Sequence, residues 1–119
     1  MDAQLIVLLE IQDLTAKVRE LRTGSELGKF EEKHFGMDPD AAATQLESKV
    51  GELEDQLDER IRRRYDRIAG RMERVVVPVI SGTCYGCLVS IPTAAAGDSD
   101  PNAVLNSCEH CGRFIYILL

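Results

Sequence analysis

Tryptophan is absent from this chain, all aromatics together make up 5% of it, and it holds only two histidines in 119 residues. A chain this short buries too small a fraction of its surface to stabilise a complex core. It has room for one small domain, or for a long helical element with a mini-domain attached. No apolar run reaches the roughly 20 residues of a transmembrane helix. The start, MDAQLIVLLEIQD, lacks the basic region and cleavage site of a signal peptide and is soon interrupted by Glu10 and Asp13. The reading is therefore a cytoplasmic chain that does not engage a membrane. Positive charge is scarce as well: 14 Lys and Arg stand against 20 Asp and Glu, a formal net charge of -6. The molecule as a whole repels nucleic acid, and any such binding is left to a local patch. Neither His34 nor His110 has an adjacent Ser or Cys nucleophile with a carboxylate to orient it. Both read as surface residues, so the expectation is no enzyme and no small-molecule substrate.

What is present begins with helical periodicity. Val7, Ile11, Leu14, Val18 and Leu21 step by 4, 3, 4, 3, the apolar seam of a coiled coil, and Leu46, Val50, Leu53 and Leu57 repeat the step. The seam then runs on through Ile61, Tyr65, Ile68 and Met72, with an eleven-residue advance from Leu57 to Ile68 that marks a stutter. Between the two segments, Gly24 and Ser25 read as a stop and a new N-cap, Leu27 and Phe30 as a short helix, and Gly36 as a left-handed C-cap. Asp38 then caps the next helix, with Pro39 at its first position. The arms, about residues 3–34 and 39–74, match at roughly 50 Å each, at 1.5 Å per residue. That match predicts an antiparallel hairpin over residues 1–74, because each seam would otherwise face water or need a dimer.

Past Arg74 the pattern changes. RVVVPVI, LVSI and RFIYILL are β-branched and apolar, and Pro and Gly punctuate the rest. Residues 75–119 therefore read as strands and turns, too few to bury a core without a metal or disulfides. The chain's only cysteines lie here, as two C-x-x-C pairs: Cys84 with Cys87, and Cys108 with Cys111. One tight turn lets two thiolates reach the same ion, and two such knuckles complete the tetrahedral sulfur set that structural Zn²⁺ prefers. Four protein ligands leave no open position, so one such ion would fold the chain and perform no hydrolysis. Gly112 can take the positive φ that aims a backbone N–H at a sulfur, and Gly86 is assigned a related task in the first knuckle. The competing readings are a rubredoxin-like iron site, which usually accompanies a richer aromatic core, and a thioredoxin-like redox pair, which needs a βαβ context. The fold expected is α+β: a coiled-coil hairpin followed by a small β zinc ribbon.

The run VVVPVISGTCYGCLVSIP followed by CEHCGRFIYIL resembles the C-terminal module of the bacterial C4-type zinc ribbon family, of the CdsZ and FlgZ kind. The match covers residues 75–119: both knuckles, Ile91-Pro92 after the first, and Gly112, Arg113 and Tyr116 after the second. The resemblance implies a non-enzymatic adaptor whose partners are an alternative sigma factor or components of secretion and flagellar machinery, with one member linked to RNA. The hairpin here is short for that family, and the loop TAAAGDSDPNA lacks the basic residues expected of an RNA contact. DPDAAATQ is similar to the acidic tip of DksA-type RNA polymerase regulators, which also join a hairpin to a four-cysteine zinc site but usually end in a helix.

Charge placement bears on the partner. Seven arginines lie between Arg60 and Arg74, and Arg60, Arg64, Arg67, Arg71 and Arg74 step by 4, 3, 4, 3 along one edge of the seam. Such a stripe suits phosphates, each arginine offering a bidentate fork, or it pairs with acids on a facing helix. Residues 38–59 hold eight acids and only Lys49, a block of net -7 that repels nucleic acid. The expectation is a protein partner, with RNA binding weak and confined to the stripe.

Overall fold

A computed structural model of the chain describes residues 1–23, 38–91 and 101–118. Among them are three helices, α1 (Ala3–Arg22), α2 (Pro39–Asp55) and α3 (Glu59–Ala69), and four strands, β1 (Val76–Ile80), β2 (Thr83–Cys84), β3 (Asn106–Ser107) and β4 (Phe114–Leu118). The fold is therefore α+β. The expected turn around Gly24 to Gly36, with Leu27, Phe30 and His34, lies outside the described residues. The chain divides into two compact units, one made of residues 1–9 and 57–119, the other of residues 10–56.

In the unit of residues 10–56, Asp38 is the N-cap of α2, accepting from the Asp40 N–H at 3.0 Å, with Pro39 at N1. The cap satisfies a donor that the first turn would otherwise leave orphaned. Arg22 and Glu47 form an ion pair between α1 and α2. Of the two expected seams, Ile11, Leu21 and Leu53 are buried, whereas Leu14, Val18, Leu46 and Val50 are half-buried.

The descending arm is not the continuous helix that its periodicity suggests. Helix α2 stops at Asp55, and the Gln56 N–H turns back to the Leu53 carbonyl at 3.0 Å. Asp58 then starts α3, accepting from the Arg60 N–H at 3.0 Å, while its own N–H donates to the Gln4 side-chain oxygen at 2.7 Å. Two caps in succession hold the interruption open where the seam stutters. Helix α3 also ends five residues early, at Ala69, so Arg71, Met72 and Arg74 lie beyond it.

In the unit of residues 1–9 and 57–119, Asp2 caps α1, accepting from the Gln4 and Leu5 N–H groups at 2.8 and 3.1 Å. Leu5 and Leu8, outside the expected seam, are fully buried, whereas Val7 is only half-buried. The Asp2 N–H donates to the Asn102 carbonyl at 2.7 Å, and the Asn102 side chain brackets Ile117 by bonding both its N–H and its carbonyl. The strands form one sheet in the order β2-β1-β4-β3. The central pair is parallel, with Val76 opposite Phe114 and Ile80 opposite Leu118, and the short outer strands run antiparallel to it. Being central, β1 and β4 bury residues on both faces, which is why both are continuous apolar runs rather than alternating ones. Ser81 and Gly82, at φ 52° and 76°, make the two-residue turn from β1 into β2.

Candidate metal centre

The two knuckles are built alike. Strand β2 delivers Cys84, and the Leu88 N–H closes the first turn on the Cys84 carbonyl at 2.6 Å. In the second knuckle the Gly112 N–H closes on the Cys108 carbonyl at 2.8 Å, and β4 follows. Each closing residue lies in the left-handed region, Leu88 at φ 63° and Gly112 at φ 77°. The expectation for Gly112 holds. For the first knuckle the left-handed residue is Leu88, not Gly86, because equivalent turns place it directly after the second cysteine of each pair.

Gly86 has a different reason to be glycine. A Cβ there would stand 2.9 Å from the Arg113 guanidinium carbon and 3.0 Å from a Val77 methyl. The space goes to Arg113, whose Nη2 donates to the Gly86 carbonyl at 2.8 Å. Arg113 thus ties the second knuckle to the first. Its buried Nε–H has no hydrogen-bond partner among the described residues.

The four sulfur atoms converge. Cys84 and Cys111 are 3.9 Å apart, Cys87 and Cys108 3.6 Å, and all four lie within 4.8 Å of one another with no disulfide formed. A tetrahedral sulfur set with bonds of about 2.3 Å has edges of about 3.8 Å. The set therefore fits one metal ion, and an orphaned buried donor beside it suits an anionic centre. Cys84 and Cys108 are buried in the core with Val77, Val79, Ile115 and Ile117, and Cys87 and Cys111 pack against that core.

The two outer thiols differ in acidity. Burial pushes the Cys87 thiol up to about 12, with Cys108, Cys84 and Cys111 adding to the rise against a backbone hydrogen bond at Val89. Burial opposes the thiolate at Cys111 too, but the backbone and side chain of Arg113, with Cys108 and Cys84, outweigh it and bring it down to about 7.

The arginine stripe is divided. Arg64, Arg67 and Arg71 line a cleft of about 390 Å³ with Ile68, Met72, Cys111 and Gly112 of the second knuckle. Arg60 and Arg74 are exposed and do not line it. Arg64 donates to the Ser107 hydroxyl and lies 4.8 Å from the Phe114 ring centre, a cation–π distance. His110 is exposed in the second knuckle, as expected. Sequence reasoning named Leu88 only as an apolar partner contact, did not single out Asn102 or Ser107, and gave Arg113 no task at the sulfurs. Only for Arg113 was there a signal, its place directly after the second knuckle.

No known protein family, curated protein or solved structure matches the chain. No helix among the described residues is long and apolar enough to cross a membrane.

Proposed function

We propose that the four cysteines hold one structural Zn²⁺, and that the chain is a non-enzymatic interaction module of the C4-type zinc ribbon kind. The sulfur geometry carries this reading, with separations of 3.6 and 3.9 Å that match a tetrahedral edge. Zinc accounts better than iron for four thiols whose surrounding cluster is aliphatic: the sulfurs pack among Val77, Val79, Ile115 and Ile117. A redox dithiol is disfavoured because the sulfurs form one four-membered set rather than a reactive pair. Four protein ligands leave no place on the metal for substrate or water, so its contribution is to fold the ribbon. Arg113 orients the set from outside the ligands, bridging both knuckles.

The helices serve as a coiled-coil hairpin in this reading, with the Arg22–Glu47 ion pair fastening its arms. The partner is a protein, of the sigma-factor or secretion and flagellar type that the resemblance implies. Exposed Tyr85 and Leu88 on the first knuckle are apolar groups suited to its contact. The -7 block at residues 38–59 and the division of the arginine stripe both argue against RNA as the main partner. Replacing Cys108 by Ser tests the structural role: the variant is expected to lose its metal and the order of residues 75–118 while keeping most of its helical circular dichroism. Retention of dispersed ribbon signals in the nuclear magnetic resonance spectrum of the metal-free variant would contradict it.

A further inference from the structure

The acids of α3 do not serve the cleft. Glu59 pairs with Arg63 at 2.5 Å and Asp66 with Arg62 at 3.2 Å, so both carboxylates engage arginines that do not line it. Arg64 is held by Ser107 and Phe114. Arg67 and Arg71 have no ion-pair partner among the described residues. They are four positions apart in sequence, Arg67 in the last turn of α3 and Arg71 just past its end, and both open into the same cleft as Cys111 and Gly112.

We propose that this cleft binds a single phosphomonoester group carried on a small apolar body. Charge decides the class of ligand. Arg67 and Arg71 bring two positive charges to the cleft without an ion-pair partner among the described residues, and a phosphomonoester near neutral pH carries about -1.5 to -2. Guanidinium forks match phosphate oxygens bidentately, and two free forks exceed what one carboxylate can use. Ile68 and Met72 supply apolar wall for the body that bears the phosphate. At about 390 Å³ the cleft has the size of a small-ligand site, not of a polynucleotide track. Arg60 and Arg74, which would extend such a track, lie outside it. The shared chemistry is the phosphomonoester; its source is a free nucleotide or a phosphorylated residue of a partner.

The inference rests on the metal centre of the proposed function, so metal content is measured on every sample, which separates failure of the one from failure of the other. The full chain, loaded with metal, is titrated calorimetrically with inorganic phosphate, a nucleoside monophosphate and a short phosphopeptide. Saturable one-to-one binding is expected, tightest for whichever organic phosphate is the source. Arg67→Gln with Arg71→Gln is expected to weaken it at least about tenfold, the loss of charge-assisted hydrogen bonds. Arg62→Gln with Arg63→Gln is expected to leave it unchanged. Arg67→Lys with Arg71→Lys, keeping charge without the fork, should recover only part of the affinity. Four results would overturn the proposal: no saturable binding of any phosphate, equal binding by the glutamine pair, loss of metal from that pair with no phosphate binding by the parent, or RNA binding with a salt slope above about two.

Discussion

Leu88 occupies a backbone conformation that glycine adopts without strain and that other residues adopt at a cost of about 1–2 kcal/mol. The residue is 71% exposed, so little burial offsets that cost. A large apolar group held in solvent at a strained position is the pattern expected of a contact residue. Leu88→Gly is therefore expected to raise the stability of the ribbon by about 1 kcal/mol, since relief of the left-handed strain outweighs the extra chain entropy of glycine. Thermal unfolding of the metal-loaded protein checks it, and a loss of stability would show that Leu88 packs within the chain after all. The same residue shows where sequence reading stops. Glycines mark positive φ only when evolution has used one, and here Gly112 marks it in one knuckle while leucine conceals it in the other. Gly86, the visible glycine, answers instead to a side chain 27 positions away.

Within the knuckles, the acidity of the outer thiols would set how the proposed metal is taken up. Only thiolates bind, so Cys87, raised to about 12, must surrender a proton at any pH below that. Cys111, lowered to about 7, is already ionised above that pH and must surrender one as well below it. Affinity is thus expected to fall at least about tenfold per pH unit on acidification, and more steeply below pH 7, when the second proton joins. Chelator competition between pH 8 and pH 5.5 measures this, and an affinity independent of pH would rule out thiolate ligation. The helices carry a second expectation. Asp58 begins α3 by accepting the Arg60 N–H, so Asp58→Ala should destabilise the chain by about 1 kcal/mol, seen as an earlier loss of helical signal on heating. No effect would mean that the interruption is held by Gln4 alone. The break itself had a trace in the sequence, the eleven-residue advance of the seam, yet no Pro or Gly announced it. A stutter is compatible with a continuous, locally unwound helix, and only the hydrogen bonds at Gln56 and Asp58 distinguish the two.

For the whole molecule, what was legible depended on sequence distance. The C-x-x-C pairs are local, and their repetition was enough to bring four sulfurs to one point in the reading, as they are in the structure. The strand-rich end was legible from β-branched runs, but the parallel pairing of β1 with β4 was not, because it joins segments 38 residues apart. The cleft was hidden for the same reason. Arg64, Arg67 and Arg71 were visible as a stripe, whereas their meeting with Cys111 depends on the tertiary fold. The burial of Leu5 and Leu8 outside the seam follows from residues 1–9 sharing a unit with residues 57–119, which periodicity within one helix does not reveal.

In the proposed function a four-thiolate zinc centre folds the C-terminal part of the chain. Elemental analysis of the purified protein with X-ray absorption at the metal edge decides this. One zinc per chain is expected, with four sulfur neighbours at about 2.3 Å and no nitrogen or oxygen ligand. Iron in its place, fewer than four sulfurs, or a folded ribbon with no metal bound would overturn the structural zinc centre.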